Sequence, residues 1–171
     1  MENHQINKLI IKTPIGNMLA VSNGQALHSL EFTEEATPAS TKDTLLLSLK
    51  KELDEYFDGK RREFTVPLAP VGTPFQTNVW QTLEQIPYGE TVSYAKESEM
   101  LGRPSAVRAV ASANGKNPIA ILIPCHRVIA SNGEIGGYNG GIWRKEFLLS
   151  LEKRYIHTSH SGLKFAYQIC S

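Results

Sequence analysis

The sequence predicts an α/β protein in two parts. A small sheet with one helix spans residues 1–72, and a mostly helical remainder, 73–171, contains a helix-turn-helix. Three observations support this. The opening stretch places short apolar runs between turn signals, Val66-Pro67-Leu68-Ala69-Pro70-Val71-Gly72-Thr73-Pro74 reads as a Pro/Gly-rich linker, and beyond it apolar residues recur at helical spacing.

The elements follow in order. Strands are expected at 8–13, 18–22 and 27–32, separated by Pro14-Ile15-Gly16-Asn17 and by the hairpin signal Asn23-Gly24. Leu45, Leu46, Leu49, Leu53, Tyr56 and Phe57 then mark a helix that Asp58-Gly59 ends. This first part shows no evident chemistry. After the linker, Phe75, Val79, Trp80, Leu83 and Ile86 form a stripe that Thr73-Pro74 starts and Pro87-Tyr88-Gly89 stops. A second helix is expected at 91–101, ending at Gly102. Pro104 opens a third over 105–113, where a first-turn proline is tolerated. Two helices joined by a tight Gly-containing turn have the helix-turn-helix pattern. The Ala-rich second of these would allow close approach to a minor groove ~6 Å wide, although Ala also simply packs well. A last helix is expected at 142–154, with Phe147, Leu148 and Leu151 facing the core.

Composition narrows the class. The chain has 171 residues, 41% hydrophobic and 20% charged, as in ordinary globular proteins. Its two cysteines, Cys125 and Cys170, form neither a disulfide framework nor four-ligand zinc spacing. The expected compartment is reducing and cytoplasmic, with no signal peptide and no run of membrane-spanning length. Net charge is +1, but residues 1–73 carry net −2 and residues 74–171 net +3. Between Met100 and Gly133 there is no acidic residue, only Arg103, Arg108, Lys116 and Arg127, a local field that favours an anionic partner such as a phosphate backbone.

The chemistry centres on Ile123-Pro124-Cys125-His126-Arg127-Val128. Thiols attack as thiolates, and basic neighbours raise that fraction. The apolar run 119–123 reads as a buried strand, which would hold Cys125 at a rigid strand end. An isolated Cys is ordinarily a small buried hydrophobe; His126 and Arg127 beside it favour nucleophilic chemistry. In an extended segment adjacent side chains point to opposite faces, so direct Cys125–His126 contact would be awkward. Glu152, on the apolar flank of the last helix, wants a partner, and His126 is a candidate by the logic of a catalytic triad. Residues 131–141 hold five glycines without a nucleotide-binding fingerprint.

These pieces resemble one family, the O6-alkylguanine-DNA alkyltransferases (methylated-DNA–protein-cysteine methyltransferases). The resemblance rests on Pro124-Cys125-His126-Arg127-Val128, Asn117-Pro118, Ser93-Tyr94, Arg108 in Arg-Ala-Val, Gly136 to Gly141, and Glu152, across about residues 73–154. It implies that the first part is a ribonuclease-H-like α/β domain and that the second carries the DNA-binding helix-turn-helix and the active site. Cys125 would accept the alkyl group. His126 would act as base through a water, oriented by Glu152, and Asn117 would brace the turn. Tyr94 would give a hydrogen bond or proton to the departing guanine. The Val128 carbonyl and loop amides near Asn139 would read the base edge, and Arg108 would replace the extruded nucleotide in the stack. Ser93, Ala109, Arg127 and Tyr138 complete the substrate- and DNA-contacting set.

The resemblance further implies irreversible, single-turnover repair of O6-alkylguanine, and of O4-alkylthymine, in double-stranded DNA. It implies no cofactor, no metal and no membrane. The chain would act as a monomer, cooperativity on DNA being left open, in the cytoplasm or, in a eukaryote, the nucleus. Asn139 stands where well-studied members often carry a smaller hydroxyl residue, and Ala120 where some carry proline; both bear on the alkyl pocket. The N-terminal cysteines of the eukaryotic zinc site are missing. Two other classes remain at this point: a Cys-His hydrolase turning over many times, and a helix-turn-helix module whose Cys is structural.

Overall fold

A computed structural model describes residues 5–36 and 40–157; Cys170 lies outside the described residues. Strands β1 (Asn7–Thr13), β2 (Gly16–Ser22) and β3 (Leu27–Phe32) form an antiparallel meander in the order β1-β2-β3. Gly16, at φ +117°, closes the first turn, where a side chain would be strained. Leu9 pairs with Ala20 and Ile11 with Met18, so one face of the sheet is apolar and buried.

Helix α1 (Thr44–Phe57) covers that face with Leu45, Leu46, Leu49, Leu53 and Tyr56. Its cap, Asp43, accepts from Leu45 N at 2.8 Å and also from Ser22 Oγ and Asn7 Nδ2 at 2.9 and 3.0 Å. One carboxylate thus starts the helix and ties it to the sheet.

Strand β3 also carries the second half of the molecule. Its free edge pairs at Leu27 with Leu68 of the linker and at Leu30 with Ile119, both parallel. Leu30 N donates to Pro118 O at 2.9 Å, and Ala120 N to Leu30 O at 3.0 Å. Leu30 is fully buried, and replacing it with alanine should cost roughly 2–5 kcal/mol. Its loss would loosen the attachment of the segment leading to Cys125.

Helix α2 (Pro74–Leu83) starts with a capping box between Thr73 and Gln76. Trp80 Nε1 donates to Ala113 O at 2.9 Å, fixing α2 against α4 (Val107–Gly115). Helix α3 (Tyr94–Met100) packs on α4 as the other member of the helix-turn-helix. A single hydrophobic cluster runs from Leu9 through α1, α2 and Ile119 to Leu148 of α5 (Ile142–Tyr155).

Four local expectations are corrected. Residues 119–123 form no strand: after the bridge at Ile119, Leu122 N donates to Ala120 O, Ile123 N donates to Ile119 O, and Ile121 sits at φ +72°. Pro118 and Pro124 supply no N–H to a ladder, and the Asn117 side chain takes Ile119 N and Ile123 O, so the run folds back as a buried turn. The expected helix at 91–101 divides into a short strand β4 (Val92–Ser93), parallel to β5 (Val128–Ile129), and then α3, because Ser93 Oγ caps at Lys96 N. The third helix begins at Val107 rather than at Ser105, Ala106 N being drawn back to Arg103 O, and it runs on to Gly115. Phe147 is 38% exposed rather than in the core, since the face of α5 centred on Lys145, Leu148 and Glu152 turns inward.

Candidate active site

Cys125 begins a single 3-10 turn, Cys125–Arg127, not an extended segment. The turn is built by Asn117. Its Nδ2 donates to Ile123 O at 2.7 Å and lies 3.3 Å from Cys125 Sγ, while its Oδ1 accepts from Ile119 N at 3.0 Å. One amide therefore fixes both the backbone before the cysteine and the sulfur itself. The half-buried thiol opens on a cavity of about 280 Å³ lined by β3, Asn114, Asn117, Ala120 and Tyr138 to Gly140. A larger cleft of about 700 Å³ lies behind the turn, between the linker and α2, and Cys125 does not line it.

Behind Cys125 the polar groups are dry. His126 is fully buried, and its Nε2 meets Glu152 Oε2 at 2.8 Å. Its Nδ1 is also buried and has no hydrogen-bond partner among the described residues. Burial pushes the His126 imidazolium below its ordinary range, against the pull of Glu152, with Arg127 and Lys145 adding to the downward push. The resting imidazole is therefore neutral, donating from Nε2 to Glu152 and leaving Nδ1 as an acceptor.

Glu152 is 1% exposed and collects five hydrogen bonds. Oε2 accepts from Tyr56 OH at 2.6 Å, His126 at 2.8 Å and Arg127 Nη2 at 3.0 Å; Oε1 accepts from Arg127 Nε at 2.9 Å and Gly89 N at 3.1 Å. Burial alone would raise this carboxyl, but His126 and Arg127 hold it well below the usual carboxylate range. Arg127 completes its fork on Ile86 O at 2.7 Å.

Arg127 is thus a correction. Expected to raise the Cys125 thiolate fraction and to face DNA, it is 7% exposed and belongs to Glu152. A guanidinium left unpaired at that depth would cost far more than an exposed one, so it turns to the buried carboxylate. The surface cations of the acid-free window are the exposed Arg103, Arg108 and Lys116.

The remaining candidate residues lie around the turn. Tyr94, at the start of α3, packs against Gly136, where a Cβ would sit 2.9 Å from its hydroxyl. Burial, then the neighbouring Cys125 and Glu97 charges, push the Tyr94 phenol up. The Tyr138 hydroxyl is buried without a partner among the described residues, and Asn139 is exposed at the rim. The Val128 carbonyl is engaged by Lys145 Nζ at 2.6 Å, which also donates to Gly137 O at 3.0 Å. Ser93 caps α3, and Arg108 and Ala109 lie exposed on the first turn of α4. Burial pushes the Cys125 thiol up, opposed by the Asn117 hydrogen bond and the Lys145 charge.

Three residues here were not legible in the sequence. Lys145 is fully buried and brought down to about 8 by burial, against the pull of Cys125. Tyr56 reaches Glu152 from the part that showed no chemistry. Glu97 of α3 is fully buried, raised to about 7 by burial, and accepts from Asn114 Nδ2 of α4 at 2.8 Å. The only available signal was negative: Lys145 and Glu97 fall on inward helix faces that polar residues normally avoid. No cluster able to hold a metal occurs among the described residues.

Fold and site together define a class: a sheet-and-helix part bracing a helix-turn-helix unit, with a thiol held in front of a buried His–Glu pair. Residues 6–70 match the family described as 6-O-methylguanine DNA methyltransferase, ribonuclease-like domain, and residues 74–154 match the DNA binding domain of the same methyltransferase. The chain belongs to the methylated-DNA–protein-cysteine methyltransferase family. It is 43% identical over 152 residues to the member from Mycobacterium leprae, covering 86% of this chain and 92% of that one. It is 46% identical over 148 residues to that of Mycobacterium tuberculosis, covering 84% and 90%. Among solved structures, O6-methylguanine methyltransferase of Mycobacterium tuberculosis superposes with a TM-score of 0.81 at 39% identity, covering 94% of this chain and 100% of that one. The Mycobacterium tuberculosis OGT in complex with DNA gives 0.79 at 42% identity, covering 86% and 93%.

Proposed function

We propose that this protein repairs alkylated DNA by direct reversal, moving the alkyl group of O6-alkylguanine, and of O4-alkylthymine, onto Cys125 in one irreversible turnover. The observation that carries the reading is the Asn117-held Cys125 Sγ opening on a small cavity, with the bare Nδ1 of a neutral His126 next in the chain.

The thiol proton passes through a bridging water to His126 Nδ1, and Glu152 stabilises the imidazolium that forms. The sulfur lone pair makes the new S–C bond as the C–O6 bond breaks, and that bond's electron pair leaves with the guanine. Tyr94 gives a hydrogen bond or proton to the base, lowering the cost of its departure as an anion. Asn117 keeps the sulfur aimed into the cavity. The Val128 carbonyl and the loop at Tyr138 and Asn139 read the base edge. Arg108 enters the duplex from the exposed face of α4, with Ala109 and Ser93 beside the backbone, and fills the gap left by the flipped nucleotide. No redox partner or metal enters this chemistry.

In this reading the division between the two parts falls at residue 72, and the working unit is a monomer on double-stranded DNA, in the cytoplasm or, in a eukaryote, the nucleus. Intact mass after incubation with duplex carrying O6-methylguanine tests it. Wild type should gain one methyl group, mapped to Cys125. Cys125→Ser should gain none while still binding the DNA. An unmodified protein that instead turns over an ester many times would overturn the reading in favour of a hydrolase.

A further inference from the structure

Three donors converge on Glu152 Oε2, more than its two lone pairs accept at full strength. Two of them are expected in a buried relay. Arg127 neutralises the carboxylate, and together with Gly89 N it satisfies Oε1. His126 is the group being oriented. The third, the Tyr56 hydroxyl, is not needed to satisfy the carboxylate, yet at 2.6 Å it makes the shortest of the five bonds. It comes from α1, 96 residues away in sequence. Its ring is boxed by Phe57, Phe64 and Tyr88 at centroid distances of 5.3, 5.5 and 6.1 Å, so the hydroxyl has no freedom to turn elsewhere.

We propose that Tyr56 is a positioning residue for alkyl transfer: its hydroxyl fixes the Glu152 carboxylate and moderates its pull on His126, so that the N-terminal part tunes the reaction rather than merely bracing it. This rests on the reading of His126 as the base that serves Cys125. Donors sharing one oxygen compete, and the strength that one loses passes to the others. With the Tyr56 hydroxyl in place, Oε2 holds His126 in orientation without drawing it into the protonated form. Without it, the full charge density of Oε2 falls to His126 and Arg127, and the imidazolium is favoured. The other charged groups acting on His126 are Arg127 of its own turn and Lys145 of α5, with Cys125 preceding it in the chain and Tyr88 behind Tyr56. None of these changes in Tyr56→Phe, which also keeps the ring in its box.

The test is the pH profile of single-turnover methyl transfer from duplex carrying O6-methylguanine, for wild type, Tyr56→Phe and His126→Asn, with a thermal melt of each. In Tyr56→Phe the acid limb should move to higher pH by about one unit. Transfer near the foot of the limb should then be about tenfold slower, while the alkaline plateau is retained. A purely structural hydroxyl predicts a lower melting temperature with the limb unmoved, and that result, or a limb moved to lower pH, overturns the proposal. His126→Asn separates the two levels. If it keeps the wild-type rate and limb, the relay reading itself fails; if it loses both while Tyr56→Phe changes nothing, only the role of Tyr56 fails.

Discussion

Lys145 donates to the carbonyl of Val128 at 2.6 Å from a fully buried position on α5. Its second bond, to Gly137 O at 3.0 Å, makes one cation the tie between the Cys125 turn and the glycine loop that lines the cavity. The same charge pulls the Cys125 thiol down against its burial.

Lys145→Met keeps the length and apolar stem of the side chain and removes the charge and both bonds. The buried Val128 carbonyl loses its donor, at about 1–3 kcal/mol, and the part-buried Gly137 carbonyl loses one at smaller cost. Alkyl transfer should slow by roughly tenfold to a hundredfold, and the ionisation of Cys125, followed by thiolate absorbance, should shift to higher pH. Wild-type rate together with an unmoved thiol titration would show that Lys145 only fills space.

Glu97 predicts an alkaline weakness. Burial raises its folded-state value from 4.5 to about 7. Between those limits the folded protein holds a proton that the unfolded chain has lost, so stability falls as pH rises through that window and stays reduced above it. Glu97→Gln keeps an acceptor for Asn114 Nδ2 and removes the titration. It should be more stable than wild type by about 2 kcal/mol near pH 8 and no more stable near pH 4. Melting temperatures of both proteins against pH decide the matter; parallel curves would mean that Glu97 is not the group responsible.

Arg108 is exposed and has no side-chain partner among the described residues. If it replaces the flipped base, Arg108→Ala loses compensation for unstacking, a few kcal/mol, and should slow repair of duplex DNA roughly a hundredfold. Reaction with free O6-alkylguanine base, which needs no flipping, should be nearly unchanged, and the defect should shrink at weakly paired sites. Equal losses on duplex and free base would point to a folding or active-site defect. A smaller salt slope with uniformly weaker binding would mark an ordinary phosphate contact.

Much of this molecule was legible before its structure. The three strands were read within a residue or two, because alternation and turn residues act locally: Gly16 and Asn23-Gly24 form their turns whatever surrounds them. Cys125 and His126 stood out because they are adjacent in sequence, whereas Asn117 was named only through the family resemblance; its amide does meet Ile123 O and lie 3.3 Å from Cys125 Sγ. Glu152 was read from its helical phase as a carboxylate in need of a partner, and His126 was named by triad logic; the two meet at 2.8 Å.

What tertiary structure decided was the environment of each charge. Sequence gives a charged residue one meaning, solvent, until burial assigns another. Arg127 looked like a surface cation and became the counterion of Glu152; Lys145 and Glu97, to which the sequence assigned no role, lie at 0% exposure. Tyr56 carried an ordinary apolar helix signal, and only the packing of α1 against α5 put its hydroxyl on Glu152. The apolar run 119–123 could not reveal its shape, because five apolar residues have no period; the Asn117 side chain and the edge of β3 bend it into the turn that presents the thiol. Local pattern sets where elements begin and end, whereas desolvation, a property of the whole fold, sets which of these groups hold a proton and which hold one another.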